Sequence, residues 1–460
     1  MKKYDAIIIG SGQAGTPLAK KLAAAGKKTA IVEKRLIGGT CINDGCTPTK
    51  AMIASARAAY RAKTAIQLGI ETAEITVDLK KIKQRKDKIV ESFRSGSQKG
   101  LEETEGLDLI FGEASFSGNK QLTVTSADGN TNILTADWIF INTGAKPIIP
   151  KLKGLENIDY LTSTTILDLE LVPEHLVVLG GNYIGLEFGQ MFHRFGSKVT
   201  ILEKSARITA REDEDVSAEL TKVLTDEGLK ILTDTSIEGI ENRDGKIYMD
   251  LKSGSNHKHI SASHLLIATG RAPQTESLNL ATTGVNTDEK GNIIVNEKLE
   301  TNVKGIYGLG DVKGGPAFTH IAYNDHIIVY RNLIEKADYR TTDRPVPYCM
   351  FTDPQLARVG ISEEEAKEKG LDFLVAKIPM SQVARGIETG ETLGFLKAIV
   401  DRKTKEILGV CIIASEGGEI MSVLQMAMEG GITYDRIREY VFAHPTYSES
   451  LNNLFMKIAD

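Results

Sequence analysis

The same glycine-rich pattern occurs twice in this chain, and it constrains the fold more than any other feature. The first copy, Gly10-Ser-Gly12-Gln-Ala-Gly15, follows an apolar run over 4–10 and opens a helical pattern over 14–25. The next apolar run, 28–33, ends in Glu33. A strand, a glycine turn, a helix and a second strand that ends in an acidic residue form the pattern of a dinucleotide-binding βαβ unit. We expect a pyrophosphate at the helix N-terminus and ribose hydroxyls at Glu33.

The second copy is Gly180-Gly181-Asn182-Tyr183-Ile184-Gly185, between apolar runs over 175–180 and 198–203. Its acidic residue is Glu203, which follows the last glycine at the same distance as in the first copy. In this register Asn182 replaces the middle glycine. It either crowds the pyrophosphate, or it adopts the backbone geometry that asparagine tolerates and donates a hydrogen bond.

The acidic residue at 203 favours a ribose with a free 2′-hydroxyl, and therefore NADH over NADPH. Lys204 and Arg207 lie close enough in the sequence to weaken this preference. Because one chain carries two dinucleotide sites, we expect electrons to pass from a nicotinamide to a flavin.

The bulk properties of the chain are those of an ordinary globular protein. Its 460 residues have room for about three domains. A net charge of -5 gives no reason to expect a nucleic-acid partner, and no apolar run is long enough for a membrane helix. The apolar run near the N-terminus leads into glycines and not into a cleavage site, so we expect a cytoplasmic protein.

Alternating strand and helix patterns predict an α/β fold with two Rossmann-like dinucleotide-binding domains. After Pro345 the pattern changes to that of an antiparallel sheet flanked by helices, which predicts a C-terminal α+β dimerisation domain. A long helical part is expected over roughly 49–99. An FAD-binding domain is expected in two parts, 1–150 and 271–343. An NAD(P)-binding domain is expected over 151–270 and an interface domain over 344–460.

Cys41 and Cys46 form the only close pair among the four cysteines of the sequence. In a reducing compartment such a pair is more often catalytic or metal-binding than structural, and no nearby histidine or second close pair completes a metal site. Residues five apart point away from each other on a helix, so a bend is needed between them, and Gly45 allows one. With Thr47 as a cap and Pro48 in the first turn, Cys46 would start a helix, where its thiolate is stabilised.

Several segments together carry a family resemblance: GGTCINDGCTPTK (38–50), INTGAKP (141–147), GGNYIGLEFG (180–189), IATGRAP (267–273), TNVKGIYGLGDV (301–312) and FAHPTYSE (442–449). Over essentially its whole length the chain resembles the class I pyridine nucleotide–disulfide oxidoreductases. This family includes dihydrolipoamide dehydrogenase, glutathione reductase and mercuric reductase.

The resemblance implies FAD at the first dinucleotide site and NADH or NADPH at the second. The nicotinamide would reduce the flavin, and the flavin would reduce a Cys41–Cys46 disulfide. Cys46 would be the flavin-proximal thiol and Cys41 the thiol that attacks the substrate. Lys50 would pair with Glu187 near the flavin, and Tyr183 would cover the nicotinamide pocket.

The resemblance also implies the remaining binding residues. Those expected to hold FAD are Gly10, Gly12, Gly15, Glu33, Gly39, Thr40, Lys50, Ala114, Thr143, Gly144 and Asp311. Those expected to hold the nicotinamide nucleotide are Gly180, Asn182, Tyr183, Ile184, Gly185, Glu203 and Gly270.

The C-terminal motif implies an acid–base pair and an oligomer. His444 would protonate the leaving thiol, and Glu449 would orient its ring. In this family the pair reaches the cysteines of the other subunit, so a homodimer is implied.

The substrate is less constrained. His444 and the lack of cysteines in the segment LNNLFMKIAD disfavour mercury reduction, although the segment TPTK (47–50) resembles that of mercuric reductases. Phe442 stands where dihydrolipoamide dehydrogenases have a second histidine, and 382–401 resembles bacterial oxidant-response reductases. Asp44 is expected to disfavour the thiolates and to repel anionic disulfides. Three classes stay open: a reductase of small disulfides or thiol-reactive oxidants, a metal-ion reductase, and a non-catalytic flavoprotein.

Overall fold

A computed structural model of the chain describes residues 1–458. The α-helices of this part are α1 (Gly15–Ala24), α2 (Gly39–Asn43), α3 (Cys46–Thr64), α4 (Leu79–Glu102), α5 (Tyr183–Phe195), α6 (Glu214–Glu227), α7 (Thr319–Leu333), α8 (Glu363–Glu368), α9 (Ala384–Thr389), α10 (Gly417–Glu429), α11 (Tyr434–Arg438) and α12 (Ser450–Phe455).

The β-strands of the described residues are β1 (Lys2–Ile9), β2 (Thr29–Glu33), β3 (Leu107–Phe111), β4 (Glu113–Gly118), β5 (Gln121–Thr125), β6 (Thr131–Ile141), β7 (Ala145–Pro147), β8 (His175–Leu179), β9 (Lys198–Leu202), β10 (Lys230–Leu232), β11 (Ser236–Arg243), β12 (Lys246–Ser253), β13 (Asn256–Ala262), β14 (His264–Ile267), β15 (Arg271–Pro273), β16 (Ile306–Gly308), β17 (Tyr348–Met350), β18 (Gln355–Gly360), β19 (Phe373–Pro379), β20 (Phe395–Asp401) and β21 (Ile407–Ala414).

The first compact unit comprises residues 1–51, 81–148 and 270–344. Its main sheet has the order β3-β2-β1-β6-β5-β4, with β16 also paired to β6. Strands β3, β2, β1 and β6 are parallel to one another, and β16 is parallel to β6. The pairs β6–β5 and β5–β4 are antiparallel. Ile7, Ile8 and Ile9 of β1 are buried, as expected for a central strand covered on both faces. The first glycine turn leaves the carboxyl end of this strand.

The second compact unit comprises residues 52–80, 149–269 and the chain from Pro345 on. It contains a second parallel sheet, with the order β10-β9-β8-β14. Strand β8 is apolar and buried, and the second glycine turn leads from its carboxyl end into α5. The two predicted βαβ units are thus confirmed as a repeated element, one in each unit.

The same unit contains two antiparallel sheets. One has three strands, β11-β12-β13, and the other has five, in the order β17-β18-β21-β20-β19. The five-stranded sheet packs with α10 around a core that includes Leu396, Ile412 and Leu424. The predicted α/β fold with a C-terminal α+β domain is therefore confirmed.

The helical part predicted over 49–99 consists of two helices and not one. Helix α3 ends at Thr64, a short 3₁₀ turn covers 65–68, and α4 begins only at Leu79. Gly69 between them has a φ of 79°, which an L-residue rarely adopts and which ends the helical path. In the described residues, none of the helices is long and apolar enough to cross a membrane.

Candidate active site

The first glycine turn has no room for side chains. A Cβ atom at Gly10, which has a φ of 100°, would lie 2.4 Å from the carbonyl oxygen of Asn142. A Cβ atom at Gly15 would lie 2.2 Å from the carbonyl oxygen of Gly10. The N-cap residue of α1, Ala14, provides no side-chain hydrogen bond to the first turn. The backbone N–H groups in the first turn of α1 can therefore bind an anion such as a pyrophosphate.

Glu33 is fixed beside this turn. Its Oε2 accepts hydrogen bonds from the backbone N–H of Ser11 at 2.9 Å and from the Ser11 hydroxyl at 2.8 Å, and its Oε1 accepts from the N–H of Arg35 at 2.9 Å. A carboxylate has about four acceptor positions, so capacity for ribose hydroxyls remains.

The environment of Asp311 is compatible with a polyhydroxyl group as partner. Burial raises the pKa of this carboxyl, although the charges of Arg271 and Lys313 act in the opposite direction. Within residues 1–458 no protein group donates a hydrogen bond to its side-chain oxygens. A half-buried carboxyl of this kind is costly unless a donor satisfies it, and the hydroxyls of a ribityl chain would be such donors.

The other residues predicted to hold FAD lie in the same compact unit. Gly39 approaches the first turn so closely that a Cβ atom would lie 2.9 Å from Cα of Gly12. Thr40 is in α2, Ala114 is buried in β4, and the Thr143 hydroxyl donates to the carbonyl oxygen of Gln274.

The second glycine turn repeats the geometry of the first. Gly180 has a φ of 119°, and a Cβ atom there would lie 2.4 Å from the carbonyl oxygen of Ala268. A Cβ atom at Gly185 would lie 2.0 Å from the carbonyl oxygen of Gly180. The Oε2 of Glu203 accepts from the N–H of Gly181 at 2.7 Å, as Glu33 does from Ser11. These residues fit a second dinucleotide.

Asn182 does not adopt the permissive backbone geometry of the second alternative, and whether it crowds the pyrophosphate stays a prediction. Its φ is -106°, so it does not use the left-handed geometry, and its side-chain oxygen accepts from the N–H of Tyr183 at 3.0 Å. Asn182 therefore caps the helix N-terminus at which we expect the pyrophosphate. Tyr183 and Ile184 form the first turn of α5, and Gly270 has a φ of 127°.

The cysteine pair spans a break between two helices. Cys41 lies in α2, Asp44 and Gly45 interrupt the helical path, and Cys46 is the first residue of α3. The predicted bend and the predicted helix start at Cys46 are confirmed. The expected cap at Thr47 is wrong, because the helix begins one residue earlier.

The two thiols contact each other and a third side chain. The hydrogen bond with Cys46 and burial raise the pKa of Cys41, whereas the Thr319 hydroxyl and the charge of Lys50 act in the opposite direction. The Thr319 hydroxyl also lies 3.2 Å from the Cys46 sulfur. One hydroxyl at the first residue of α7 thus serves both sulfurs.

Asp44 does not present an isolated charge to the thiols. Its carboxylate forms an ion pair with both terminal nitrogens of Arg35, and its side chain is only 13% exposed. The hydrogen bond that Arg35 donates to Asp44 raises the pKa of Arg35. The expected repulsion of anionic disulfides is therefore weakened by a neighbouring cation that the sequence analysis did not consider.

The C-terminal dyad forms within the second compact unit. His444 Nδ1 lies 3.0 Å from Oε1 and 2.9 Å from Oε2 of Glu449. The histidine side chain is 66% exposed, so its other ring nitrogen is accessible. Phe442 packs against the core of the C-terminal domain and does not contribute a polar group.

Lys50 and Glu187 belong to different compact units, and their pairing stays a prediction. Glu187 is buried in α5 and accepts a hydrogen bond from the N–H of Phe351 at 2.7 Å. Three residues outside every motif were not predicted: Thr319 contacts Cys46, Arg35 pairs with Asp44, and Glu364 pairs with Arg207. No spacing rule connects Thr319 to Cys46.

Two family models match this chain. Residues 4–325 match the pyridine nucleotide-disulphide oxidoreductase model, and residues 346–455 match the dimerisation domain of the same class. The chain belongs to the pyridine nucleotide–disulfide oxidoreductase family. It is an FAD-dependent oxidoreductase that uses NAD(P)H as its electron donor.

Similar proteins cover nearly the whole chain. It is 38% identical over 459 residues to the probable pyridine nucleotide-disulfide oxidoreductase RclA of Escherichia coli, with 99% of each chain covered. It is 36% identical to a mercuric reductase of Staphylococcus aureus, over 97% of this chain and 81% of that protein. Among solved structures, the Cu(II) complex of the HOCl-induced flavoprotein disulfide reductase RclA of E. coli aligns with a TM-score of 0.92 at 37% identity, covering both chains fully.

Proposed function

We propose that this protein is a cytoplasmic, homodimeric reductase of a small disulfide or a thiol-reactive oxidant, with NADH as its donor. The observation that carries the proposal is the contact between Cys41 and Cys46 at the N-terminus of α3, with the Thr319 hydroxyl at both sulfurs. Cys46 lies at a helix N-terminus and is exposed, and Thr319 and the charge of Lys50 favour the Cys41 thiolate against the raising effects of burial and the Cys46 contact.

In this proposal each dinucleotide has its own set of residues. Residues 1–150 and 271–343 form the FAD domain, 151–270 the NADH domain and 344–460 the interface domain. Gly10, Gly15 and Asp311 hold the flavin nucleotide, and Gly180 and Glu203 hold NADH. When bound, the two cofactors together supply the electron pair that reduces a Cys41–Cys46 disulfide to the dithiol.

The dithiol then reduces the substrate by exchange. The Cys41 thiolate attacks one sulfur of the substrate disulfide, forming a mixed disulfide and releasing the other sulfur as a thiolate. Cys46 next attacks the Cys41 sulfur, which re-forms the protein disulfide and releases the second substrate thiol. The substrate gains two electrons and two protons, and the cysteine pair loses the same.

His444 moves the protons in these steps. Its exposed ring nitrogen accepts the proton of Cys41 and returns it to the leaving thiolate. Glu449, held against Nδ1, fixes the tautomer that leaves the other nitrogen available and stabilises the protonated ring. We propose that the dyad of one subunit serves the cysteines of the other, as the dimerisation domain of this family suggests.

The substrate class rests on the relatives and on the charge balance near the cysteines. RclA of E. coli, whose solved structure is similar, is an HOCl-induced flavoprotein disulfide reductase. Arg35 offsets Asp44 beside the pair, so the local charge excludes neither neutral nor anionic substrates. A panel of lipoamide, glutathione disulfide, bacillithiol disulfide and hypothiocyanous acid, each with NADH and NADPH, tests the proposal. Turnover that survives Cys41→Ser would refute it.

Metal-ion reduction is the second candidate. Several mercuric reductases are among the relatives, and the similar RclA structure contains Cu(II). Steady-state oxidation of NADH with mercuric or cupric ions separates the two functions. If a metal ion supports turnover and none of the disulfides or oxidants does, the first proposal is replaced by metal-ion reduction. If lipoamide is the best substrate of the panel, the protein is a dihydrolipoamide dehydrogenase.

A further inference from the structure

The loop after β9 lies against the second glycine turn. The N–H of Thr209 donates to the carbonyl oxygen of Gly181 at 2.9 Å, and the N–H of Ser205 donates to Oε1 of Glu203 at 2.7 Å. The side chain of Ile208 approaches the same turn, because a Cβ atom at Gly181 would lie 2.9 Å from it. Cations in residues 204–209 are therefore at the edge of the proposed nucleotide site, where a 2′-phosphate would be.

Arg207 is the half-buried cation of this loop, and its terminal nitrogen Nη2 is engaged elsewhere. It lies 3.3 Å and 3.4 Å from the two carboxylate oxygens of Glu364. It also donates to the carbonyl oxygens of Glu212 at 3.1 Å and Ala210 at 3.4 Å. All these acceptors belong to the segment around 210–212 or to α8, and none belongs to the glycine turn.

The position of Glu364 is fixed by buried groups that contact the start of α8. Asp213 accepts hydrogen bonds from the N–H groups of Glu363 at 3.3 Å and Glu364 at 3.1 Å. Lys397, only 1% exposed, lies 2.7 Å from the Glu363 carboxylate and 3.2 Å from that of Asp213. Ser362 adds a capping box at the start of α8.

The other acceptors of Arg207 are fixed by the same network. The Glu212 carboxylate lies 2.6 Å from Arg358, and both side chains are about 95% buried. Because a buried ion pair cannot lose one partner without a large cost, this segment and α8 form a rigid frame around Arg207.

We propose that Glu364 is a specificity-determining residue, which holds Arg207 away from the 2′-phosphate position and so maintains the preference for NADH. Two effects act together. The Glu364 carboxylate accepts from Nη2 of Arg207 and holds the guanidinium against α8, and its own negative charge disfavours a phosphate nearby. The inference deepens the proposed function, since it rests on the nucleotide site around Glu203.

The test compares binding of NAD⁺ and NADP⁺ to the oxidised holoenzyme by isothermal titration calorimetry. Glu364→Gln should tighten NADP⁺ by about tenfold, the lower end for one added charge-assisted hydrogen bond, and leave NAD⁺ unchanged. Glu368→Gln is the matched control, because it removes the same charge from the same exposed side of α8 without contact to Arg207. The ratio of kcat/KM for NADPH over NADH should rise in parallel.

Arg207 provides the second half of the test. Arg207→Met alone should leave NADP⁺ binding within twofold of the parent, and it should abolish the gain when combined with Glu364→Gln. A gain that persists in the double variant, or equal gains in Glu364→Gln and Glu368→Gln, would overturn the proposal, as would no gain at all. A Glu203→Ala variant that binds NAD⁺ as tightly as the parent would instead refute the nucleotide site itself.

Discussion

Replacing Thr319 with valine should slow the reaction of the cysteine pair with electrophiles. Valine has nearly the shape of threonine, so the substitution removes the hydroxyl that lies 3.2 Å from Cys46 and also bonds Cys41, and little else. A hydrogen bond to a charged acceptor contributes about 1.5 to 3 kcal/mol. Because one hydroxyl is shared by two sulfurs, we expect a loss of about 1.5 kcal/mol, the lower end of this range. This loss corresponds to about a tenfold lower thiolate fraction at pH 7. The pKa of Cys41 should rise, since Thr319 acts to lower it.

The assay is the rate of iodoacetamide incorporation into the reduced holoenzyme as a function of pH, with each cysteine followed by peptide mass spectrometry. The rate at pH 7 should fall about tenfold, and the profile should move to higher pH. Thr319→Ser keeps the donor and should restore the parent profile. The other groups that face the sulfurs, Lys50 and the N–H groups at the start of α3, are unchanged in both variants. Identical profiles for Thr319→Val and the parent would refute the reasoning.

Three further predictions follow from the contacts described above. Gly15→Ala places a methyl group 2.2 Å from the Gly10 carbonyl oxygen, so the purified variant should lack flavin absorbance at 450 nm. Gly96→Ala is the control, because nothing lies within 4 Å of the added methyl group, and it should retain the absorbance. His444→Gln should lower disulfide turnover by about 10²- to 10⁴-fold while leaving flavin bleaching by NADH unchanged, and loss of both would contradict the assigned role. Lys397→Met should lower the free energy of unfolding at pH 7 by about 3 kcal/mol, because it removes one cation from the buried carboxylate of Asp213, which retains Arg358 at 3.7 Å.

The Lys397 prediction has a defined pH dependence. Burial opposes ionisation of Asp213, but the N–H of Glu364 and the charge of Lys397 outweigh it and lower its pKa, and Asp215 behaves alike. A lowered carboxyl pKa contributes stability above the unfolded value, and this contribution is lost as the pH falls. The ordinary pKa of an aspartate carboxyl is 3.8, so denaturant unfolding should show a smaller difference between Lys397→Met and the parent at about pH 3 than at pH 7. A difference that stays constant with pH would indicate that packing, not charge, is responsible.

Local sequence determined the elements on which the cofactor sites are built. A glycine turn between an apolar strand and a helix permits few backbone paths, because side chains at Gly10 or Gly180 would collide with the neighbouring strand's backbone. The position of Cys46 at a helix start was also predictable, since Gly45 and Pro48 limit where a helix can begin. The antiparallel C-terminal sheet was predicted from the change of sequence pattern after Pro345.

Tertiary structure decided the features that depend on residues distant in the chain. Thr319 meets Cys46 because α7 begins beside α3 within one compact unit, and no local pattern encodes that contact. Arg207 is held by Glu364 because a buried acidic segment caps α8, so a basic residue that the sequence placed near the nucleotide is directed elsewhere. Asp44 is neutralised by Arg35, although the sequence alone showed only an acid between two thiols. Local propensity and sterics act over a few residues, whereas charge and hydrogen bonding depend on which side chains the completed fold brings together.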